Sequence, residues 1–265
     1  MVASTCSRGQ NQPSVLWCWL MTRKSKSVAA CGLCDEMAEL QASHIVPEFA
    51  YAPIYDAKHK IYAIDPLRPE RQRKIQKGLR EPLLCRSCKQ FLNDNYEKWF
   101  KETWIDDPRP LQPLEVTDRA IIKIVDPGRF KLFHLSVLLR ADLAKNGQWS
   151  EVDVGPRHRA RLKEMVLGQD PGEPYEFPVV CAPIRFSPEN PRLFWDFVGP
   201  PNPGRMQGIR FYEAPFAACG WIYIVSSHST PLIADVAMHA DGTLPVIKSH
   251  WQGFRRWLEG RAALP

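Results

Sequence analysis

Two pairs of cysteines constrain this chain more than any other feature of its sequence. Cys31 and Cys34 form the first pair, Cys85 and Cys88 form the second, and two residues separate the cysteines within each pair. This spacing lets one tight turn present both sulfurs to a single ion, and two such pairs supply four thiolates for a tetrahedral zinc ion. The sequence therefore predicts one structural zinc site. Ordinary buried thiols or two unrelated redox pairs are the alternatives.

The cellular compartment bears on the same choice. No apolar run approaches the roughly 18 to 20 residues that a membrane-spanning helix needs. The start of the chain does not read as a secretory signal, because its short apolar stretch leads into the basic segment 23–26 without a small-residue cleavage site. We therefore expect a cytoplasmic protein with reduced thiols, and in that compartment paired cysteines are metal ligands more often than disulfides.

Basic side chains concentrate between Arg68 and Lys89, where only Glu70 and Glu81 oppose them. Such a run can be a solvated face, but its place between two cysteine pairs favours a surface that neutralises phosphates. The net charge of +6 points weakly towards an anionic partner as well. We assign to a nucleic-acid-binding surface seven of these residues: Arg71, Arg73, Lys74, Lys77, Arg80, Arg86 and Lys89.

The length of 265 residues falls between one large domain and two ordinary ones, so we expect one internal domain boundary. Apolar rows at helical spacing predict an amphipathic helix from Cys88 to Ile105. Three prolines between Asp106 and Pro113 break that helix and hold the backbone extended. We therefore divide the chain into a flexible segment (1–28), a zinc module (29–105), a linker (106–118) and a second domain (119–265).

The second domain reads as a mixed α+β fold with an antiparallel sheet. Its helices are predicted at Phe130 to Lys145, which is apolar on nearly every face and hence buried, and at His158 to Gly168. Runs rich in β-formers and punctuated by proline and glycine predict the strands: Ala120 to Val125, Tyr175 to Phe186, Leu193 to Val198, Ile209 to Tyr212, Cys219 to Ser226 and Ile233 to Met238. A last short helix is predicted at Trp251 to Gly260.

A histidine motif lies between the cysteine pairs, Ser43-His44-Ile45-Val46-Pro47. The order of first cysteine pair, histidine-containing strand, variable loop, and second cysteine pair opening a helix resembles the HNH endonuclease family. The resemblance covers about residues 30–102. It implies that these residues form a zinc-stabilised ββα-metal module. Together with the second domain predicted above, this gives an α+β fold class, in which the module precedes a mixed α+β domain with an antiparallel sheet.

The resemblance implies that His44 is the general base of phosphodiester hydrolysis, with a divalent ion such as Mg²⁺ beside it. This chain has Ser43 and Lys89 where the family usually has metal ligands, and Glu81 is the residue that we expect to replace a ligand. Asn93, Asp94, Asn95 and Glu97 on the following helix are further candidates. The family also implies DNA as the partner, and a role in phage defence or in a mobile element.

Two other interpretations stay open at this stage. The zinc module can be a non-catalytic unit that docks nucleic acid or protein after losing its catalytic metal site, which Ser43 and Lys89 favour. Alternatively, the second domain is the functional centre and senses a small molecule. In the leading interpretation that domain serves recognition, regulation or assembly, through a second copy of the chain or a partner protein.

Overall fold

The structure is a computed structural model, and it describes residues 28–65, 68–107, 109, 120–145, 147–187, 189–190, 192–199, 201–228 and 231–247. Within these ranges, residues 63–65, 68–73, 147–148, 206 and 231–232 are described by their backbone alone. The predicted flexible segment, most of the predicted linker and the predicted helix from Trp251 to Gly260 lie outside the described residues.

The first third of the chain contains short antiparallel strand pairs. The pairs are β1 with β2, β3 with β6, and β4 with β5. Their bounds are β1 (Val28–Ala30), β2 (Met37–Glu39), β3 (Gln41–His44), β4 (Lys60–Asp65), β5 (Arg68–Gln76) and β6 (Arg80–Leu84). A 3₁₀ helix (Glu48–Ile54) follows β3. The β4–β5 hairpin is thus an insertion between β3, which ends at His44, and β6, which leads into the second cysteine pair.

A long helix follows the second cysteine pair, as the apolar rows predict. It consists of α1 (Arg86–Leu92), a π-helical segment (Asn93–Glu97), α2 (Lys98–Phe100) and a second π-helical segment (Lys101–Asp106). Because these segments follow one another without a gap, residues 86–106 form one rod, here called the composite helix. Its apolar side buries Leu92, Tyr96, Phe100 and Trp104.

The rest of the chain is mixed α+β, as predicted. Two helices, α3 (Pro127–Leu143) and α4 (Pro156–Gly168), pack beside an antiparallel sheet in the order β8-β11-β10-β9. The strands of that sheet are β8 (Val179–Pro183), β9 (Asn202–Met206), β10 (Ile209–Phe216) and β11 (Cys219–Val225). A separate pair joins β7 (Ile121–Lys123) to β12 (Thr243–Pro245), and α5 (Pro231–Ala234) is a single turn.

Two predicted strands are wrong. The run from Leu193 to Val198 makes only an isolated bridge at Leu193, and the run from Ile233 to Met238 makes one at Ala237 beside the turn α5. Both runs are apolar because they pack on the sheet, so their composition resembles that of a strand without the ladder. In the α4 region the helix does end at Gly168, but Gln169 is the residue with a left-handed backbone (φ 53).

One hydrophobic core contains residues from both parts of the chain. The Phe100 ring of the composite helix stacks on Phe133 of α3 with their centroids 3.8 Å apart. The Tyr96 hydroxyl donates to the Val166 carbonyl at 2.6 Å, and Trp104 Nε1 donates to the Ala217 carbonyl at 3.3 Å. The composite helix is therefore packed against the part of the chain from residue 120 onward, here called the second half, and residues 28–107 are called the first half. The predicted domain boundary within 106–118 stays a prediction.

None of the helices in the described ranges is both long and apolar enough to cross a bilayer.

Candidate functional site

The four cysteines converge, as their spacing predicts. The sulfurs of Cys31, Cys34, Cys85 and Cys88 all lie within 4.8 Å of one another. Cys34 Sγ and Cys85 Sγ are 3.9 Å apart, and tetrahedral zinc with Zn–S bonds of 2.3 Å separates its sulfurs by roughly 3.8 Å. The cluster is thus consistent with a structural metal such as zinc, and it is the one such group of ligands among the residues that are described.

Local backbone structure explains this convergence. The first pair lies in the turn between β1 and β2, which the Asp35 N–H closes on the Cys31 carbonyl at 2.9 Å. The second pair opens α1, where Cys85 is the N-cap and its sulfur accepts from the Cys88 N–H at 3.4 Å. Gly32 links the first turn to β6, just before the second pair, since its N–H donates to the Leu83 carbonyl at 2.9 Å.

Gly32 has a steric reason to be glycine as well. A Cβ there would lie 2.5 Å from Leu143 Cδ1 and 3.1 Å from the Leu83 carbonyl oxygen. Although burial opposes ionisation, hydrogen bonds from Ser87 and from the Cys88 N–H lower the pKa of Cys85 to about 6.

A cavity of about 560 Å³ opens between the β3–β6 pair and the composite helix. The half-buried His44 lines it. Most of the charged side chains around it are basic: Lys77, Arg80, Arg86, Lys89, Lys98, Lys101 and Arg140, against Glu48 and Glu97. This excess of positive charge favours an anionic occupant. On the composite helix, Arg86, Lys89, Asn93, Glu97 and Lys101 line the cavity at intervals of three or four positions, so a helical wheel of residues 86–101 would have revealed this face.

Lys77, Arg80, Arg86 and Lys89 make no ion pair with a carboxylate anywhere in the part of the chain that the structure describes. Their side chains are exposed. By contrast, Lys98 Nζ contacts Asp94 at 2.5 Å and Lys101 Nζ contacts Asp106 at 2.5 Å. The first four cations therefore carry the attraction that the cavity has for an anion.

His44 is fixed by the turn between β5 and β6. Its Nε2 lies 2.6 Å from the Lys77 carbonyl oxygen, which can only accept, so Nε2 carries the proton. Lys77 and Gly78 both have left-handed backbones (φ 62 and φ 67), and this conformation turns the carbonyl towards the ring. Burial lowers the pKa of His44, as do Arg80 and Lys89, while the Lys77 hydrogen bond and Glu48 oppose that shift.

Glu81 lies elsewhere than in this cavity. In the β3–β6 register His44 faces Arg80 and Ser43 faces Glu81, so the Glu81 side chain projects from the opposite side of the pair. Its Oε2 accepts from the Lys145 N–H at 3.0 Å. Glu81 is thus not among the residues that line the cavity with His44, and its role as a ligand or catalytic group stays a prediction.

The remaining positions expected around a catalytic ion also lack a preformed ligand set. The Ser43 hydroxyl is buried and donates to the Gln41 carbonyl at 3.1 Å, and Lys89 Nζ donates to the Ala42 carbonyl at 2.8 Å. Asn93 and Glu97 line the cavity, but Glu97 Oε1 is 2.6 Å from Arg140. These donors do not fit a preassembled Mg²⁺ site, which needs oxygen ligands in octahedral geometry.

The predicted nucleic-acid residues divide between two places. Lys77, Arg80, Arg86 and Lys89 line the cavity. Lys74 lies on the β4–β5 hairpin, with its ammonium 4.6 Å from the Tyr62 ring centroid. Arg71 and Arg73 belong to β5, where the backbone alone is described.

Sequence reasoning missed one participant, Arg140 of α3, to which it assigned no role. Its Nη1 donates to the His44 carbonyl at 2.9 Å and to Glu97 Oε1 at 2.6 Å. No local signal marks this arginine, because it lies 96 residues from His44 in the chain. The site is thus built from both halves of the protein.

Comparison with known proteins finds no match, whether with protein families, with curated proteins or with solved structures.

Proposed function

We propose that this protein is a zinc-stabilised nuclease of the HNH type, which hydrolyses phosphodiester bonds in nucleic acid, with DNA as the substrate that the motif resemblance favours. The observation that carries the proposal is the orientation of His44: its ring is held by the Lys77 carbonyl at the wall of a basic cavity. A role in phage defence or in a mobile element would follow from the same resemblance.

The tautomer of His44 suits a general base. Because Nε2–H donates to the Lys77 carbonyl, the lone pair of Nδ1 is available. Nδ1 takes a proton from a water molecule, the water oxygen bonds to phosphorus, and the bond from phosphorus to the leaving oxygen breaks, with solvent protonating that oxygen. A lowered pKa keeps the imidazole neutral at physiological pH, which is the form that this step needs.

The cations of the cavity suit the other half of the reaction. Negative charge grows on the phosphoryl oxygens in the transition state, and preorganised positive groups stabilise it. Arg80 and Arg86 can each offer two parallel N–H donors to a phosphate, while Lys77 and Lys89 act as point charges. A zinc ion bound by the four cysteines would hold the β1–β2 turn and the α1 N-terminus together, and we assign it no chemical step.

A second candidate function is supported by Ser43 and Lys89. Both side chains donate hydrogen bonds to backbone carbonyls of β3, so neither is a ligand for a hard cation. A non-catalytic module that binds nucleic acid through the same cavity explains this pair equally. The β4–β5 hairpin and the cavity would then hold the phosphate backbone without cleavage.

The test compares wild-type protein with His44→Ala on plasmid DNA, linear duplex, single-stranded DNA and RNA, each with Mg²⁺, with Mn²⁺ and with chelator. We expect cleavage by the wild type and a loss of about 10²- to 10⁴-fold in His44→Ala, the range for removing a general base. The matched control, His158→Ala, removes a histidine of α4 whose Nδ1 is 3.1 Å from the Val154 carbonyl, and it should cleave like the wild type.

Two results would reject the enzyme. The first is equal inertness of wild type and His44→Ala on every substrate. The second is cleavage that His44→Ala leaves unchanged. Salt-dependent DNA binding without cleavage, unaffected by His44→Ala, would select the non-catalytic module instead.

A further inference from the structure

Arg140 is a charged side chain in an unusual place for a helix of the second half. It is only 3 % exposed, and most of the other residues of α3 are apolar and buried. A buried guanidinium is stable only when its charge and its N–H groups find partners. Glu97, on the π-helical segment of the composite helix, supplies the charge, with an exposure of 18 % for its own side chain.

The remaining donors of Arg140 fix the direction of the guanidinium. Its Nε donates to the Ser136 carbonyl at 3.1 Å, and Nη2 lies 3.3 Å from the Ser136 hydroxyl. These two bonds anchor the group to its own helix, one turn back. Only Nη1 reaches across to the first half, where it bridges the Glu97 carboxylate and the His44 carbonyl.

His44 is consequently held at two points. Its ring is fixed by the Lys77 carbonyl from the β5–β6 turn, and its backbone is fixed by Arg140 from α3. His44 is the last residue of β3 and pairs with Arg80 there, and within the described residues the β3–β6 ladder ends at this pair. We expect that loss of the Arg140 bond would let the end of β3 shift, and the ring with it.

We propose that Arg140 is a positioning residue for His44, through which helix α3 of the second half sets the orientation of the general base. The kinetic part of this inference rests on the proposed function, whereas the positioning itself does not. Lysine cannot replace arginine here, because its ammonium has three N–H donors on one nitrogen. The guanidinium of Arg140 donates from three nitrogens to four acceptors: the Ser136 carbonyl, the Ser136 hydroxyl, Glu97 and the His44 carbonyl.

The experiment uses full-length, zinc-loaded protein as wild type, Arg140→Lys, Arg140→Gln and the control Arg159→Lys. Arg159 is a partly buried guanidinium on α4 that pairs with Asp142, so its change perturbs a comparable ion pair away from His44. Two readouts are taken: the titration of the His44 ring by NMR, and the pH profile of kcat and KM for cleavage. Zinc content and circular dichroism establish that each variant is folded.

We expect Arg140→Lys to lower kcat by about 10- to 100-fold with little change in KM, as a misplaced catalytic group does. The released ring becomes more solvated, so its titration should move upward in pH, and the acid limb of kcat should move with it. No variant substitutes the charged residues that act on the ring, which are Glu48, Arg80 and Lys89. Arg159→Lys should leave both readouts as in the wild type.

The proposal is overturned if Arg140→Lys leaves the His44 titration unchanged, or if Arg159→Lys shifts it equally, which would indicate general loosening. If Arg140→Gln does not fold, Arg140→Lys decides, because it keeps a positive charge beside Glu97. If no variant, wild type included, cleaves any substrate, the nuclease proposal fails, but the NMR titration still decides whether Arg140 positions His44.

Discussion

Burial gives the histidines of this protein different properties, although their side chains are identical. His134 is fully buried among aromatic rings, with its ring centroid 4.3 Å from Trp221 and 4.6 Å from Phe130. Its Nδ1 lies 3.2 Å from the Tyr223 hydroxyl, and its Nε2 has no hydrogen-bond partner within the described residues. Burial therefore holds the pKa of His134 well below its ordinary value.

This lowered pKa predicts a loss of stability in acid. The unfolded chain takes up the proton near pH 6.5 and the folded chain does not, so the free energy of unfolding falls as the pH drops below about 6.5. His134 contributes a slope of up to about 1.4 kcal/mol per pH unit. We expect His134→Gln to flatten the dependence between about pH 6.5 and 5 by that amount, as measured by urea unfolding at several pH values.

His44, whose pKa is also lowered by burial, keeps its own part of the slope in this variant and in the wild type. The comparison therefore isolates His134. An equal slope for wild type and His134→Gln would show that His134 is protonated in the folded protein.

At the scale of secondary-structure elements, the first half depends on its cysteines because its strands are short. A two-stranded pair such as β1–β2 or β3–β6 is marginal on its own in water. A metal ion bound by the four cysteines would link the β1–β2 turn to the N-terminus of α1, where the Cys85 N–H also donates to Cys31 Sγ at 3.3 Å. Removing such an ion would weaken the contact between these elements.

We therefore expect one zinc ion per chain, and its loss in Cys88→Ser, measured by elemental analysis. Structural zinc contributes on the order of 10 kcal/mol, which is comparable to the whole stability of a domain. The variant, or the wild type in strong chelator, should lose the ordered structure around β1 to α1, seen as lost hydrogen-exchange protection.

Cys219→Ser is the matched control for the zinc prediction. Cys219 is fully buried and its sulfur is 3.8 Å from that of Cys181, but neither belongs to the four-cysteine cluster. This variant should keep its zinc. Zinc-free wild type that is fully folded would contradict the structural role.

At the scale of the whole molecule, the contact of the composite helix with α3 decides whether the two halves unfold together. Phe100 stacks on Phe133, and its ring also lies edge-on to Trp221 with the centroids 6.2 Å apart. These aromatic contacts are fully buried, as is the Arg140 that reaches His44. The halves share one core, whereas independent domains would each have their own.

We expect Phe133→Ala to destabilise the entire protein by about 3 to 5 kcal/mol, the range for a buried phenylalanine. Zinc release and tryptophan fluorescence should then report a single unfolding transition, at a lower denaturant concentration than in the wild type. Zinc release that stays at its wild-type midpoint while fluorescence shifts would instead support two independent domains.

The sequence by itself determined the features that depend on near neighbours. The four cysteine ligands follow from their spacing, and the helix after Cys88 follows from its apolar rows. His44 could be singled out because the motif and the cysteine pairs stand in a fixed order. Local geometry is enough within each cysteine pair and within the helix, because one turn or one helical face contains the residues concerned. The convergence of the two pairs instead joins residues 51 positions apart.

Only the tertiary structure decided which side chains meet at the cavity. The register of β3 with β6, which includes an irregularity between Gln41 and Ala42, sends Glu81 to one side and Arg80 to the other. A shift by one residue would exchange them, and the sequence of one strand does not specify the register with its partner. Arg140 reaches His44 because α3 packs on the composite helix, a contact between distant parts of the chain that no local pattern encodes.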